Sequence, residues 1–245
     1  MRLGILSDVH GNLLALEVVL ADMRQRGVDA MINLGDCVTS PLWPRETFEL
    51  LQTLALPTVR GNHDRWLTNT PPEKVGPIID FACNALTPEQ RQTLADLPAS
   101  IALFDYVFAV HGTPASDTEY LLEEKLNERL LPVTIATLGE RLGGHRESLI
   151  LCGHSHHQHS AHATDNQLVV NPGGVGCPRY ADSKKAFDVE ACSPHARYAI
   201  ATRRGKRWSV ELFVLEYDWD QAAARARANG FDAWADAFLG VMTRK

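Results

Sequence analysis

The stretch LGILSDVHGN, residues 3–12, decides how the rest of the chain is read. Leu3–Leu6 is a short strand-like run. The polar turn Ser7-Asp8-Val9-His10-Gly11 follows, and Asn12 then suits an N-cap position. Beyond it Leu13, Leu16, Leu20 and Met23 recur on one helical face until Gly27 stops the pattern. A strand that passes through a polar loop into a helix is the repeating unit of α/β architecture.

The same order recurs along the 245 residues. Ala30–Leu34 predicts a second strand, Pro44–Leu54 a helix with proline at its start, and Pro57–Val59 a short strand. Thr87-Pro88-Glu89-Gln90 reads as a capping box. Further strands are expected at Tyr106–Val110, Ser148–Leu151 and Leu168–Val170, then a hairpin from about Tyr198 to Tyr217. Asp220 and Asp232 are expected to cap two C-terminal helices, the second burying Trp234, Phe238 and Val241. No internal repeat or low-complexity linker is visible, and a single α/β domain is expected.

Composition narrows the function. The net charge is -6, and the dense basic cluster Arg203-Arg204-Gly205-Lys206-Arg207 reads as a hairpin turn, so a nucleic-acid groove is not expected. Five cysteines, odd in number and without C-x-x-C, fit a reducing compartment better than a disulfide framework. No apolar run reaches membrane-spanning length, and the few apolar residues after Met1-Arg2 are too short for a signal peptide. The expectation is a cytoplasmic protein with no membrane partner.

Chemistry enters at the strand ends, where open α/β sheets place their functional groups. The first strand runs into Asp8 and His10, the second into Asp36, the third into Asn62, His63 and Asp64. The strand before Gly112 ends in His111, and the one before Gly153 in His154 and His156. A lone Asp after a strand is usually a turn residue and a lone His usually a surface one; their joint occurrence in register is what those readings leave unexplained. If D-x-H and H-x-H are extended, residues two apart share a side and converge. Gly11, Gly35, Gly61, Gly112 and Gly153 allow sharp departures and close approach. Carboxylate, imidazole and amide donors without obligatory thiolate suit Mn, Fe, Zn or Ni rather than an all-oxygen Ca or Mg cage. The donors exceed what one open site can use, whereas two ions sharing a carboxylate use them all.

The series D-x-H, GD, GNHD, HG and GHSH, in that order, resembles the calcineurin-like metallophosphoesterase superfamily. Asn171-Pro172-Gly173-Gly174-Val175-Gly176 and Val110-His111-Gly112-Thr113-Pro114 are similar to its small bacterial and archaeal branch, with Gly174 where a serine is usual. The resemblance implies an α/β fold with a two-sheet sandwich flanked by helices, in four α-β-β-α layers. It implies that Asp8, His10, Asp36 and His156 hold a first metal and Asp36, Asn62, His111 and His154 a second, with manganese favoured. It makes His63 the general acid in hydrolysis of a small or nucleotide-like phosphomonoester or phosphodiester. A metal-dependent nuclease and a non-catalytic scaffold of the same fold are the rivals. The first should carry a basic groove, and the second should have lost a ligand or the acid.

Several neighbours keep two readings. Asp64 is either a carboxylate partner orienting His63 or a helix cap. Arg60 is either a bidentate phosphate clamp or a surface arginine. Trp43 and Trp66 are read as packing residues, with base stacking as the alternative. His157, His159 and His162 are read as solvated rather than as an auxiliary metal tract, Lys74, Lys184 and Lys185 as solvated, and Cys37, Cys152 and Cys177 as small buried residues. Arg179, Tyr180 and His195 are either substrate-rim or scaffold residues. The oligomeric state is not legible.

Overall fold

A computed structural model describes residues 1–71, 74, 76–126, 129–163, 167–182, 187–190 and 193–240. In chain order the first half comprises β1 (Arg2–Leu6), α1 (Leu13–Gln25), β2 (Ala30–Asn33), α2 (Pro44–Leu54), α3 (Asn62–Asn69), α4 (Pro77–Ala85), α5 (Pro88–Ala95), β3 (Ser100–Leu103) and β4 (Val107–Val110). Then follow β5 (Glu123–Leu126), β6 (Arg129–Pro132), α6 (Ile135–Arg141), β7 (Leu149–Leu151), β8 (Gln158–His162), β9 (Leu168–Pro172), β10 (Arg179–Asp182), β11 (Phe187–Glu190), β12 (Ala196–Arg204), β13 (Arg207–Leu215), α7 (Trp219–Ala228) and α8 (Asp232–Phe238).

Two sheets carry the site. One has the order β13-β12-β1-β2 and the other β3-β4-β7-β9-β8, while β10-β11 and β5-β6 are separate two-stranded pairs. β1 is parallel to β2, and β4, β7 and β9 are mutually parallel, so the ligand-bearing loops leave at the strands' carboxyl ends. The two sheets face one another through Leu3, Ile5, Ile32, Val107, Leu149 and Ala199, all fully buried. On the outer face of the first sheet Leu16, Leu20 and Met23 of α1 pack with Phe48 of α2 and Ile200 of β12. On the outer face of the second, Leu138 and Leu142 cover Phe108 and Ile150. The four α-β-β-α layers are those the motif series implied.

Local signals explain most element boundaries. Asn12 accepts from the Ala15 amide at 3.2 Å, and α2 begins at Pro44. Thr87 and Gln90 exchange the two hydrogen bonds of a capping box, at 2.9 and 3.2 Å. Pro57–Val59 forms only a parallel bridge, Asn33 to Thr58, because it lies at the sheet's edge beside β2. At the C-terminus Asp218, not Asp220, caps α7, accepting from the Gln221 amide at 2.9 Å. Asp232 is the first residue of α8, behind an N-cap Phe231 that makes no side-chain cap. Phe238 is buried and Trp234 half-buried. Lys184, Lys185, Cys192 and Val241 lie outside the described residues. Among the described residues no helix is long and apolar enough to cross a membrane.

Candidate metal centre

The ligand loops are not extended. Asp8, His10, Asp36, His154 and His156 all have positive φ, between 46° and 68°. The expectation that D-x-H and H-x-H converge as extended pairs is therefore corrected: these left-handed residues turn each loop inward, a conformation that costs non-glycine residues of order 1–3 kcal/mol each. Glycine serves here mainly through close approach. A Cβ on Gly61 would lie 2.1 Å from Asp36 Oδ1, and one on Gly174 would lie 3.1 Å from His156 Cγ. The second distance gives a physical reason for glycine at 174, since the His156 ring occupies the space a serine would need.

Two donor groups result, one of Asp8, His10 and His156, the other of Asp36, His111 and His154, each with its ligand atoms within 4.8 Å of one another. Three imidazoles are aimed by backbone carbonyls. Nδ1 of His10 donates to Thr39 O at 3.0 Å, that of His111 to Leu34 O at 2.7 Å, and that of His156 to Cys177 O at 3.0 Å. This leaves each Nε2 pointing into the centre, the arrangement a metal-bound histidine needs. Each carboxylate is likewise half-tethered. Asp8 Oδ2 accepts from the His154 amide at 3.1 Å, and Asp36 Oδ1 from the His63 amide at 2.9 Å.

The remaining atoms crowd together. His10 Nε2 and His156 Nε2 are 3.2 Å apart, and Asp8 Oδ1 lies 3.3 Å from His156 Nε2. Asp36 Oδ2 stands 3.4 Å from His111 Nε2 and 3.7 Å from His10 Nε2, so one oxygen reaches both groups. Asn62 Oδ1 is 3.0 Å from His111 Nε2. Protons stand in for cations. Burial opposes charge on His111, but the Asp36 carboxylate beside it outweighs this and pushes it up to about 10. Asp8 acts in the same way on His156, which is held well above the usual histidine range. Burial leads the other way for His10 and His154, both pulled down to about 3. Inward-facing Nε2 atoms, a buried Asp8 Oδ1 without a hydrogen bond and an N/O donor set all fit divalent transition metals.

His63 sits beside this cluster, its ring centroid 5.1 Å from that of His10 and 4.7 Å from that of Trp66. Burial holds it below the usual histidine range. Its Nδ1 is buried without a hydrogen-bond partner. Asp64 does not supply one: its carboxylate accepts from the amides of Asp36, Cys37 and Gly61, each at 2.9 Å. It binds the second ligand loop to the start of α3, with Gly61 rather than Asp64 as N-cap. Burial and the Asp36 charge push Asp64 up to about 6, against the pull of its amide donors.

Other expectations also shift. The Arg60 guanidinium donates to the Ala95 carbonyl at 3.0 Å, at the end of α5, so its observed contact is structural rather than a clamp in the centre. Arg65, not singled out by any sequence pattern, makes a bidentate pair with Asp117 at 2.7 and 2.8 Å that ties α3 to the loop after His111. Trp43 packs against the C-terminal helices. His162 is exposed, but His157 and His159 are half-buried, and His159 Nδ1 meets the buried Glu123 carboxylate at 3.1 Å. The solvated reading of that pair is corrected, because β8 lays His159 against β9 and Glu123. Cys37, Cys152 and Cys177 are buried as expected. His195 packs against Trp219, ring centroids 4.9 Å apart and tilted by 52°. Arg179 and Tyr180 stand on β10, Lys74 is exposed, and the Tyr120 ring packs against His154 at 5.0 Å, tilted by 33°.

Fold and donors together define a two-sheet α/β protein with a divalent-metal site of the hydrolase type at its strand ends. The chain belongs to the calcineurin-like phosphoesterase superfamily, whose domain it matches over residues 1–192. It is similar to a metallophosphoesterase from Sphaerobacter thermophilus, with 26% identity, a TM-score of 0.73, and 99% of this chain and 100% of that one covered. A hypothetical protein from Pyrococcus horikoshii shares the fold at 17% identity, with a TM-score of 0.74 over 98% and 97% of the two chains. An uncharacterized protein of Methanocaldococcus jannaschii is 27% identical over 97% of this chain and 98% of its own length.

Proposed function

We propose that the chain hydrolyses small or nucleotide-like phosphate esters with two divalent transition-metal ions, manganese favoured among Mn, Fe, Zn and Ni. The observation that carries this reading is Asp36 Oδ2, placed between the two donor groups at 3.4 and 3.7 Å from their histidines. Asp8, His10 and His156 with Asp36 would hold one ion, and Asn62, His111 and His154 with the same Asp36 the other. When bound, such a pair supplies neutralisation of phosphate charge and an ionised water as nucleophile at neutral pH.

The rest is done by the chain. The Thr39, Leu34 and Cys177 carbonyls keep His10, His111 and His156 in the tautomer with Nε2 open. Asp64 holds three amides so that Asp36 and the start of α3 keep their relative position. His63 gives a proton to the departing oxygen; the negative charge of an incoming phosphate ester opposes the burial that depresses this imidazole and favours its protonated form. Leaving-group protonation of this kind is worth roughly 10²- to 10⁴-fold.

A small substrate is favoured over a nucleic acid by the position of the basic cluster. Arg203 and Arg204 end β12 next to Arg2, at the amino end of β1, whereas Asp8 follows its carboxyl end. The test is hydrolysis of an aryl phosphate by protein stripped with chelator and resupplied with Mn, Fe, Zn or Ni. Activity should disappear and return with metal. Activity undiminished after exhaustive chelation would contradict the proposal.

A further inference from the structure

Trp66 is set apart from the other four tryptophans. Trp208, Trp43, Trp219 and Trp234 pack against apolar clusters of the protein, whereas the Trp66 ring lies 4.7 Å from the imidazole of His63, tilted by 56°. The two residues are three apart on α3 and so share a face of the helix. That face is half-open: Asn62, Asp64 and Leu67 are buried while His63, Arg65 and Trp66 remain partly exposed. The bidentate Arg65–Asp117 pair holds this turn of helix against the loop after His111.

The three rings form a series. His10 lies 5.1 Å from His63 and Trp66 lies 4.7 Å from it, so the acid packs against both an imidazole of the donor cluster and an indole. An acid must touch the oxygen that departs. A ring that packs against the acid therefore borders the leaving group. From this geometry we infer that Trp66 is a specificity residue, the wall of a leaving-group subsite selecting esters whose alcohol carries a flat aromatic ring. This rests on the phosphoesterase reading, which makes His63 the acid. A wide apolar indole face rewards ring stacking at little conformational cost and does so for any flat ring, so the class is aryl and nucleoside phosphates rather than one base.

The test compares adenosine 5′-monophosphate with ribose 5-phosphate, which share the same primary alkoxide and differ only in the ring. With Mn²⁺ supplied, Trp66→Leu should lower kcat/KM for the nucleotide relative to the sugar phosphate by about tenfold or more. Trp66→Phe, which keeps an aromatic face, should preserve most of the preference. Independently of turnover, adenosine binding to the chelated protein by equilibrium dialysis should weaken about tenfold in Trp66→Leu and be largely kept in Trp66→Phe. Equal loss on both esters would overturn the inference, leaving Trp66 as a positioning residue for His63. Failure of wild-type protein to bind adenosine would overturn it as well. Adenosine binding through Trp66 in a protein that hydrolyses neither of these esters nor an aryl phosphate with Mn, Fe, Zn or Ni would support the wall and refute the phosphoesterase reading.

Discussion

At the carboxyl ends of the parallel strands, histidines and carboxylates face one another across 3 to 4 Å, His10 against His156 and Asp8 against both. At the amino ends of β4 and β7 the chain also gathers titratable groups, around an open cavity of about 640 Å³ lined by Asp105, Tyr106, His145, Arg146, Glu147 and Ser148. There His145 stacks on Phe108 at 3.7 Å and meets Glu147 at 3.3 Å. One end sets a single imidazole, His145, against a single carboxylate, Glu147. The other aims like nitrogens at a common point, on a backbone bent through five left-handed residues, which is stable only if positive charge lies between them. That cavity is thus a poorer guide to function than the convergence of buried donors.

Substitutions at the two ends should separate accordingly. Asp36→Asn should depress both metal sites together and lower hydrolysis by roughly 10³-fold or more, several kcal/mol of barrier, whereas Glu147→Gln should leave hydrolysis unchanged; equal effects would erase the contrast. His63→Ala should keep both metals while slowing alkyl esters by roughly 10²- to 10⁴-fold and nitrophenyl esters much less, because an acidic phenol departs without a proton. Equal loss on both, with chemistry limiting, would show that His63 stabilises charge instead. Asp64→Asn replaces one acceptor by a donor facing an amide and should cost about 2 kcal/mol of stability in denaturant unfolding. Unchanged stability would remove Asp64 from the scaffold of the centre.

A further effect is one of pH. His111 in the metal-free protein is pushed up to about 10, above its ordinary value near 6.5. Its contribution to stability is then fully present below about 6.5 and is lost as pH rises through about 10. The metal-free protein should lose stability between pH 8 and pH 10, and metal uptake at pH 8 should release protons. Metal binding without proton release at that pH would contradict the pairing of His111 with Asp36.

Much of this is legible in the sequence. Asp8, His10, Asp36, Asn62, His111, His154 and His156 were visible because residue type and strand-end spacing both mark them, and α2 was visible because Pro44 starts it. What aims them was not, because the acceptors for His10, His111 and His156 are carbonyls of Thr39, Leu34 and Cys177, and every residue has a carbonyl. Helix α3 escaped pattern reading because its polar residues Asn62, His63 and Asp64 serve the centre rather than an apolar stripe. The contacts of Asp64 and Arg60 are not legible in the sequence, since partners such as the Asp36 amide and the Ala95 carbonyl lie 28 and 35 residues away and are brought near only by the fold. Of the histidine stretch, His154 and His156 were separable from the rest by position, but the half-buried contact of His159 with Glu123 depends on β5, which no pattern announced.

The most direct test of the two-metal account is the number of ions bound per chain after stripping, reloading with Mn²⁺ and removal of excess, read by elemental analysis. The donor groups around Asp8 and Asp36 predict two per chain in the wild type, with both reduced in Asp36→Asn. One ion per chain, or an Asp36→Asn variant that still binds two, would contradict it.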